Sequence, residues 1–219
     1  MEGPFVRVVT GVPLSERQLA PIAFLDRDGV INIGRPEYVN SPAEVELLEG
    51  AAPAIASLRH AGYLVCIVTN QSPIARGLWG AERLESIHRS LQSKLLEVNP
   101  DAHVDAFITC PHRFEDRCGC RKPSPAMLFL GHQRLRADSG RGEVDELANA
   151  GRQTVEVDWW GQPPRSPNPL DAMVGDRRSD MGAGWAYGAR LFRVNGRIGV
   201  DQVVQRVLNE SDGGDDFQP

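Results

Sequence analysis

Short apolar runs recur along the chain, and segments with helical periodicity lie between them. The apolar runs cover residues 22–25, 64–68, 104–109, 172–176 and 190–194. The segments with apolar side chains at helical spacing cover residues 51–60, 81–98, 126–135, 180–187 and 200–208. Runs without polar alternation are typical of strands covered on both faces of a parallel sheet. The alternation of the two kinds of segment therefore predicts an α/β fold, with a Rossmann-like parallel sheet and helices on both faces.

This regular pattern covers residues 21–210, which we expect to form one domain. Residues 1–20 contain glycine and proline and predict an N-terminal arm. Residues 137–169 lose the periodicity and predict an insertion, in which residues 144–150 suit a short helix and residues 154–157 a short strand. Residues 211–219 are acidic and contain glycine, which predicts a disordered tail.

The composition is that of an ordinary globular protein, with 41% hydrophobic and 24% charged residues in a chain of 219. The net charge is -5 and no basic stripe is present, which argues against nucleic acid as a partner. No apolar run is long enough to span a membrane, and residues 1–19 lack the apolar core of a signal peptide. We therefore expect a cytoplasmic monomer without a membrane partner.

Polar side chains stand where several of the predicted strands end. In a parallel α/β sheet these ends lie along one edge, where ligands bind. Side chains two positions apart in an extended chain point to the same side, so the first two carboxylates should face one site. Gly29 permits a sharp turn directly after them. The residues at or near these strand ends are Asp26, Asp28, Thr69, Asn70, Lys122 and Asp176.

The pair Asp26 and Asp28 on its own also fits an ordinary Asp-Gly turn after a strand. Three polar strand ends with a lysine nearby favour a site instead. Two close carboxylates repel each other unless a cation neutralises them, and Mg²⁺ prefers oxygen ligands. Such a set suits phosphoryl transfer: one carboxylate attacks phosphorus and a second transfers protons, while lysine and magnesium offset the charge.

A second cluster combines cysteine and histidine. Cys110, His112, Cys118 and Cys120 lie within eleven positions and supply three thiolates and one imidazole. This is a complete tetrahedral set for structural zinc. Buried cysteines beside a surface histidine are the alternative, which so short a spacing disfavours. Cys66 lies within a predicted strand and suits a small core residue.

Four segments together resemble the motifs of haloacid-dehalogenase-type phosphatases. The resemblance is greatest to the branch that acts on D-glycero-D-manno-heptose 1,7-bisphosphate or histidinol phosphate, and it covers about residues 21–135 and 170–195. The four segments are residues 25–32 (LDRDGVIN), 68–72 (VTNQS), 120–123 (CRKP) and 174–180 (VGDRRSD).

The resemblance implies a role for each of these positions. Asp26 is the expected nucleophile and Asp28 the general acid and base. The side chains of Thr69 and Asn70 are expected to bind the transferring phosphate, which Lys122 stabilises. Magnesium is expected on Asp26, the backbone carbonyl of Asp28, and Asp176. Asp180 is expected behind these groups as a partner of Lys122, and the zinc loop is expected to order the segment that carries Arg121 and Lys122.

The function implied is that of a magnesium-dependent phosphoric monoester hydrolase acting on a small phosphorylated metabolite. Removal of the 7-phosphate from heptose 1,7-bisphosphate is the leading expectation, because Arg76 and Arg121 would suit a second phosphate. Histidinol phosphate is the alternative substrate, and its cationic amine would require carboxylates such as Glu115 and Asp116. A catalytically silent binding protein of the same fold is the third hypothesis.

Overall fold

The central sheet of the protein is built from strands that are distant in sequence. A computed structural model describes residues 3–136 and 155–219. Within these ranges the strands are β1 Phe5–Val8, β2 Ile22–Leu25, β3 Leu64–Asn70, β4 Ala106–Cys110, β5 Ala172–Gly175 and β6 Arg190–Arg193. Their order across the sheet is β1–β4–β3–β2–β5–β6. Strand order therefore reverses at β2, and the crevice at such a reversal is where α/β sheets bind ligands.

Helices cover both faces of this sheet. The helices of the described ranges are α1 Leu14–Arg17, α2 Ala51–His60, α3 Ala81–Val98, α4 Ala126–Arg136, α5 Arg178–Tyr187 and α6 Val204–Leu208. Short 3₁₀ turns occur at Pro42–Glu44, Phe114–Asp116 and Gly199–Gln202. None of the helices described is both long and apolar enough to cross a bilayer.

The core consists of two apolar layers, one on each face of the sheet. Successive side chains of β2 alternate between them: Ala23 and Leu25 contribute to the layer under α2, α3 and α6. Ile22 and Phe24 contribute to the layer under α4 and α5. All four residues are fully buried, which explains why the sequence shows a continuous apolar run here instead of alternation. The predicted α/β architecture with helices on both faces is confirmed.

The sheet is mixed rather than wholly parallel, which corrects one expectation. The neighbouring pairs β4–β3, β3–β2, β2–β5 and β5–β6 are all parallel. The strand β1, however, runs antiparallel to β4, with Phe5 opposite Thr109. Part of the predicted N-terminal arm therefore forms an edge strand. Antiparallel edge strands are common on otherwise parallel sheets, and the short segment 5–8 gives little periodicity by which sequence could identify it.

Two further expectations differ from the structure. The predicted helix 200–208 is divided into the 3₁₀ turn Gly199–Gln202 and α6. The sequence predicts a disordered tail over residues 211–219, but the backbone N–H of Asp215 donates to the carbonyl of Leu191 on β6 at 2.6 Å. Arg206 binds the carboxylates of Asp212 and Asp215. The acidic residues of this tail are thus paired with a basic residue, which composition alone does not reveal.

The insertion predicted at residues 137–169 is described only in its second part. The predicted helix 144–150 lies outside the described residues, as does the start of the predicted strand 154–157. Residues 155–169 form no regular element. Trp159 of this segment stacks on Trp185 of α5, with ring centroids 5.8 Å apart. This part of the insertion is therefore anchored to the same face as α4 and α5.

Candidate active site

The strand ends open into a cavity of about 470 Å³. Side chains from β2, β3, the loop before α4 and the start of α5 surround it, as expected for the carboxyl edge of a parallel sheet. The cavity is lined by Asp26, Asp28, Gly34, Arg35, Pro36, Tyr38, Thr69, Asn70, Ser72, Arg76, Phe114, Arg121, Lys122, Pro123, Arg177, Ser179 and Asp180.

A buried lysine lies at the centre of the site. The Nζ atom of Lys122 is 2.9 Å from Asp26 Oδ1 and 2.7 Å from Asp180 Oδ1. It also donates a hydrogen bond to the carbonyl of Val68 at 2.7 Å. Burial alone would lower the pKa of Lys122, but the carboxylates of Asp180 and Asp26 raise it. The lysine therefore remains charged between the two carboxylates.

Asp26 directly follows β2, and its side chain is almost completely enclosed. Its backbone N–H donates to the carbonyl of Val174 on the neighbouring strand, which fixes the position of the residue. Burial, together with the charges of Asp180 and Asp28, raises the pKa of Asp26 to about 6 against the opposing charge of Lys122. A cation beside Asp26 would therefore stabilise the ionised form that is able to act as a nucleophile.

Asp26, Asp176 and Asp180 form a group of carboxylates that can hold a metal ion. Each offers an oxygen, and these oxygens lie within 4.8 Å of one another. Among the described residues, Asp176 Oδ1 is buried and has no hydrogen-bond partner. Burial and the charge of Asp26 raise the pKa of Asp176. Arg177 Nε lies 3.8 Å from Asp176 Oδ1, too far for a hydrogen bond. An oxygen-rich site with a buried acceptor that makes no hydrogen bond fits a hard cation such as Mg²⁺.

Two carboxylates of this region, those of Asp180 and Asp28, are engaged with protein groups. Asp180 Oδ2 accepts the backbone N–H of Arg177 at 2.9 Å, while Oδ1 faces Lys122. Asp28 lines the cavity, but its carboxylate does not belong to the metal-binding group. Its carboxylate accepts hydrogen bonds from Arg27, Asn32 and Gln71 instead. Burial alone would raise the pKa of Asp28, but Arg27 and these hydrogen bonds together lower it.

The polar residues at the end of β3 hold the loop of Lys122 as well as lining the cavity. Asn70 accepts the backbone N–H of Lys122 at 3.1 Å and donates to its carbonyl at 3.2 Å. The hydroxyl of Thr69 accepts a hydrogen bond from Gln71 at 2.9 Å. Asn70 therefore fixes the position of the lysine, a contact that the motif alone does not indicate.

The mouth of the cavity is rich in arginine. Arg76 and Arg121, which the sequence analysis assigns to a second phosphate, both line the cavity. The hydroxyl of Ser72 donates to Tyr38 Oη at 3.4 Å, and this bond lowers the pKa of Tyr38, with a smaller contribution from Arg76. The residues that sequence analysis did not assign to the cavity include Arg35, Tyr38, Ser72, Phe114, Arg177 and Ser179.

The cysteine and histidine side chains of the predicted zinc loop converge beside the site. Cys110 Sγ lies 3.6 Å from Cys118 Sγ, and Cys120 Sγ lies 3.2 Å from Cys110 Sγ and 3.3 Å from His112 Nδ1. Ligands of tetrahedral zinc at bond lengths near 2.3 Å lie about 3.8 Å apart. The distances between the donors are slightly shorter than this and are compatible with a closed zinc site, and the cysteines form no disulfide.

No established protein-family profile matches the chain. The D-glycero-alpha-D-manno-heptose-1,7-bisphosphate 7-phosphatase of Mycobacterium tuberculosis is 35% identical over 161 residues, which is 72% of this chain and 68% of the relative. The D-glycero-beta-D-manno-heptose-1,7-bisphosphate 7-phosphatase of Rhodopseudomonas palustris is 34% identical over 198 residues, which is 87% of this chain and 91% of the relative.

A solved structure supports the same relationship. The crystal structure of D,D-heptose 1,7-bisphosphate phosphatase from Bordetella bronchiseptica, complexed with magnesium and phosphate, superposes with a TM-score of 0.67 at 29% identity. The match covers 87% of this chain and 99% of that one. The resemblance seen in the sequence motifs is therefore confirmed over most of the fold. The chain belongs to the heptose 1,7-bisphosphate phosphatases, a family of haloacid-dehalogenase-like phosphatases.

Proposed function

We propose that the protein removes the 7-phosphate of D-glycero-D-manno-heptose 1,7-bisphosphate through an aspartyl-phosphate on Asp26. The observation that carries the proposal is the convergence of Asp26, Lys122 and Asp180 at the base of a cavity whose mouth carries arginines. The names of the relatives and the magnesium–phosphate complex of the solved structure support this substrate and reaction.

In the first step an oxygen of Asp26 attacks the 7-phosphorus. A bond forms between that oxygen and phosphorus, and the bond from phosphorus to the sugar oxygen breaks. Asp28, which enters this step protonated, gives that proton to the departing sugar oxygen and becomes a carboxylate. The hydroxyl of Thr69 and the ammonium of Lys122 stabilise the transferring group. In the second step water attacks the phosphorus, Asp28 takes its proton, and phosphate leaves with Asp26 restored.

Two metals fit the proposal. Asp26, the backbone carbonyl of Asp28, and Asp176 would hold Mg²⁺, which supplies positive charge to the phosphoryl oxygens. The contact of Asp180 with Lys122 supports the assignment of Asp180 as a positioning residue for the lysine. Cys110, His112, Cys118 and Cys120 would hold zinc, which orders the loop that leads to Arg121 and Lys122.

The charge at the mouth favours a bisphosphate over histidinol phosphate. Arg76 and Arg121 line the cavity, and guanidinium groups bind phosphate with a fork of donors. Asp116, by contrast, is bound by Arg113 at 2.9 Å, and neither it nor Glu115 lines the cavity. The carboxylates expected to receive a cationic amine are therefore not available at the mouth.

Steady-state kinetics with both candidate substrates test the substrate assignment. We expect a much higher kcat/KM for heptose 1,7-bisphosphate than for histidinol phosphate. Arg121→Ala should raise KM for the bisphosphate by roughly 10-fold, since it removes one charged hydrogen-bonding group, and should change KM for heptose 7-phosphate much less. Arg113→Ala is the matched control, because Arg113 lies in the same loop outside the cavity lining. Equal or reversed preference between the two substrates would refute the assignment.

A further inference from the structure

The carboxylate of Asp28 is surrounded by three donor side chains. Arg27 Nη2 lies 2.8 Å from Asp28 Oδ2 and 3.1 Å from Oδ1, and Arg27 Nε lies 3.2 Å from Oδ1. Asn32 Nδ2 donates to Oδ1 at 2.9 Å. Gln71 Nε2 donates to Oδ2 at 2.9 Å. Both oxygens therefore accept hydrogen bonds from two different side chains.

The three donors lie beneath the cavity and Asp28 lies at its surface. Arg27, Asn32 and Gln71 are each 1% exposed. The side chain of Asp28 retains 22% of its exposure and lines the cavity. Solvent therefore does not compete for the donors, while the carboxylate remains accessible to a substrate. This arrangement fixes the plane of the carboxylate from behind.

The contact with Arg27 also separates the two neighbouring carboxylates. Asp26 pairs with Lys122, and Asp28 pairs with Arg27, so each has its own buried cation. A guanidinium binds a carboxylate through two parallel donors and thereby sets its orientation as well as its position. Gln71 Nε2 additionally donates to Thr69 Oγ1 at 2.9 Å, which links Asp28 to the side chain that faces the transferring phosphate.

We infer that Arg27, assisted by Gln71, is a positioning residue that aims Asp28 at the leaving oxygen of the substrate. The inference rests on the proposed function, in which Asp28 gives its proton to that oxygen as the phosphorus–oxygen bond breaks. The hydrogen bonds of Arg27 and Gln71 also stabilise the carboxylate that proton donation leaves behind. Neither residue touches the substrate, so both act through Asp28.

The experiment uses leaving groups that differ in their need for a proton. A sugar alkoxide needs protonation to depart, whereas p-nitrophenolate is stable without it. We expect Arg27→Met to lower kcat/KM for heptose 1,7-bisphosphate by roughly 100-fold, the scale of general acid catalysis and of misplacement by about 1 Å. The same variant should lower kcat/KM for p-nitrophenyl phosphate by a factor that is at least several-fold smaller. Arg27→Lys, which retains one charged donor, should restore part of the lost activity toward the sugar.

Two further variants control for loss of stability. Arg190→Met removes another buried guanidinium, which donates to Tyr63 and to backbone carbonyls outside the cavity. This variant should leave the ratio of the two kcat/KM values unchanged. Gln71→Met should shift the ratio in the same direction as Arg27→Met, and it decides the question if the arginine variant does not fold. If Arg27→Met and Gln71→Met lower kcat/KM equally for both substrates, or do not lower it, the inference is overturned while the proposed function stands. A wild-type protein inactive on both would overturn the proposed function and the inference with it.

Discussion

At the scale of single residues, charge compensation determines how the site is built. Asp26 and Asp28 are only two positions apart, yet each carboxylate lies against a separate buried cation, Lys122 or Arg27. Repulsion between the carboxylates is thereby reduced before any metal binds. Gly29, with φ of 81°, makes the turn directly after Asp28 possible, and a Cβ at this position would also lie only 2.7 Å from Asp176 Oδ2.

The nucleophile can be tested directly. Asp26→Asn should abolish measurable turnover, because an amide does not attack phosphorus, while circular dichroism and the unfolding transition remain close to those of the wild type. Asp101→Asn, an exposed carboxylate remote from the cavity lining, is the control and should retain full activity. Near-normal turnover by folded Asp26→Asn would exclude the proposed role.

A second prediction concerns His88, which is buried and stacks on Phe107 at 4.5 Å. Burial holds the pKa of His88 well below 6.5, and the charges of Arg27 and Arg7 contribute in the same direction. As the pH falls below about 6.5, the unfolded chain takes up a proton there that the folded protein does not. The free energy of unfolding should therefore fall by up to about 1.4 kcal/mol per pH unit through this group.

The measurement is urea unfolding of wild type and His88→Phe at pH 7.5 and pH 5.5. Other titrating groups contribute to both proteins alike, so the difference between them isolates the histidine. The variant should lose less stability than the wild type on acidification. Parallel losses in the two proteins would contradict the prediction.

At the scale of elements, the loop between β4 and α4 connects the cysteine–histidine cluster to the active site. Arg121 Nη1 donates to the carbonyl of His112 at 2.9 Å, and Asn70 holds the backbone of Lys122. The bound zinc we propose would close this loop at the positions directly before Arg121. Loss of zinc should therefore disorder the loop and displace Lys122 at the same time.

Purified protein should contain one zinc per chain, because a site with four protein ligands is closed and binds tightly. Cys118→Ser should lose this zinc and lower turnover, since the loop that carries Lys122 is no longer held. Cys66→Ala is the matched control: Cys66 lies within β3 and not in the cluster, so zinc content should stay the same. Wild-type protein without zinc, purified in the absence of chelators, would contradict the assignment of the cluster.

At the scale of the whole molecule, one buried carboxylate joins segments that are far apart in the chain. Asp171 Oδ1 accepts the backbone N–H of Ile22 at 2.8 Å and the Nη2 of Arg136 at 2.6 Å. Its Oδ2 accepts the hydroxyl of Tyr187 at 3.0 Å. Asp171 is fully buried and the Arg136 side chain is 8% exposed, so the start of β2, the end of α4 and the end of α5 meet in one largely buried network.

Asp171→Asn should destabilise the fold by about 3–5 kcal/mol, because it leaves the charge of Arg136 buried without its partner. The network lies outside the cavity lining, so turnover per folded molecule should be unchanged. Denaturant unfolding, with Asp101→Asn again as the exposed control, measures the difference. A loss as small as that of the control would show that the network does not stabilise the protein.

The sequence by itself was sufficient for the order of β2 to β6 and of α2 to α6, and for most of the residues that meet at the site. Local periodicity identifies β2 and α3. A strand buried on both faces shows a continuous apolar run, and a helix buried on one face shows apolar residues at helical spacing. The strand-end rule then gathers Asp26, Thr69 and Asp176 at one edge without any knowledge of distances. The cysteine and histidine spacing likewise predicts their cluster.

Contacts between segments remote in sequence were decided only by the tertiary structure. The antiparallel edge strand β1, the ordered acidic tail and the role of Asn70 in holding Lys122 each depend on a partner that no local pattern specifies. Arg27 is the clearest case. Alternation along an extended chain would point it away from Asp28, but the chain turns after β2, and the buried guanidinium finds its compensating charge on the adjacent carboxylate.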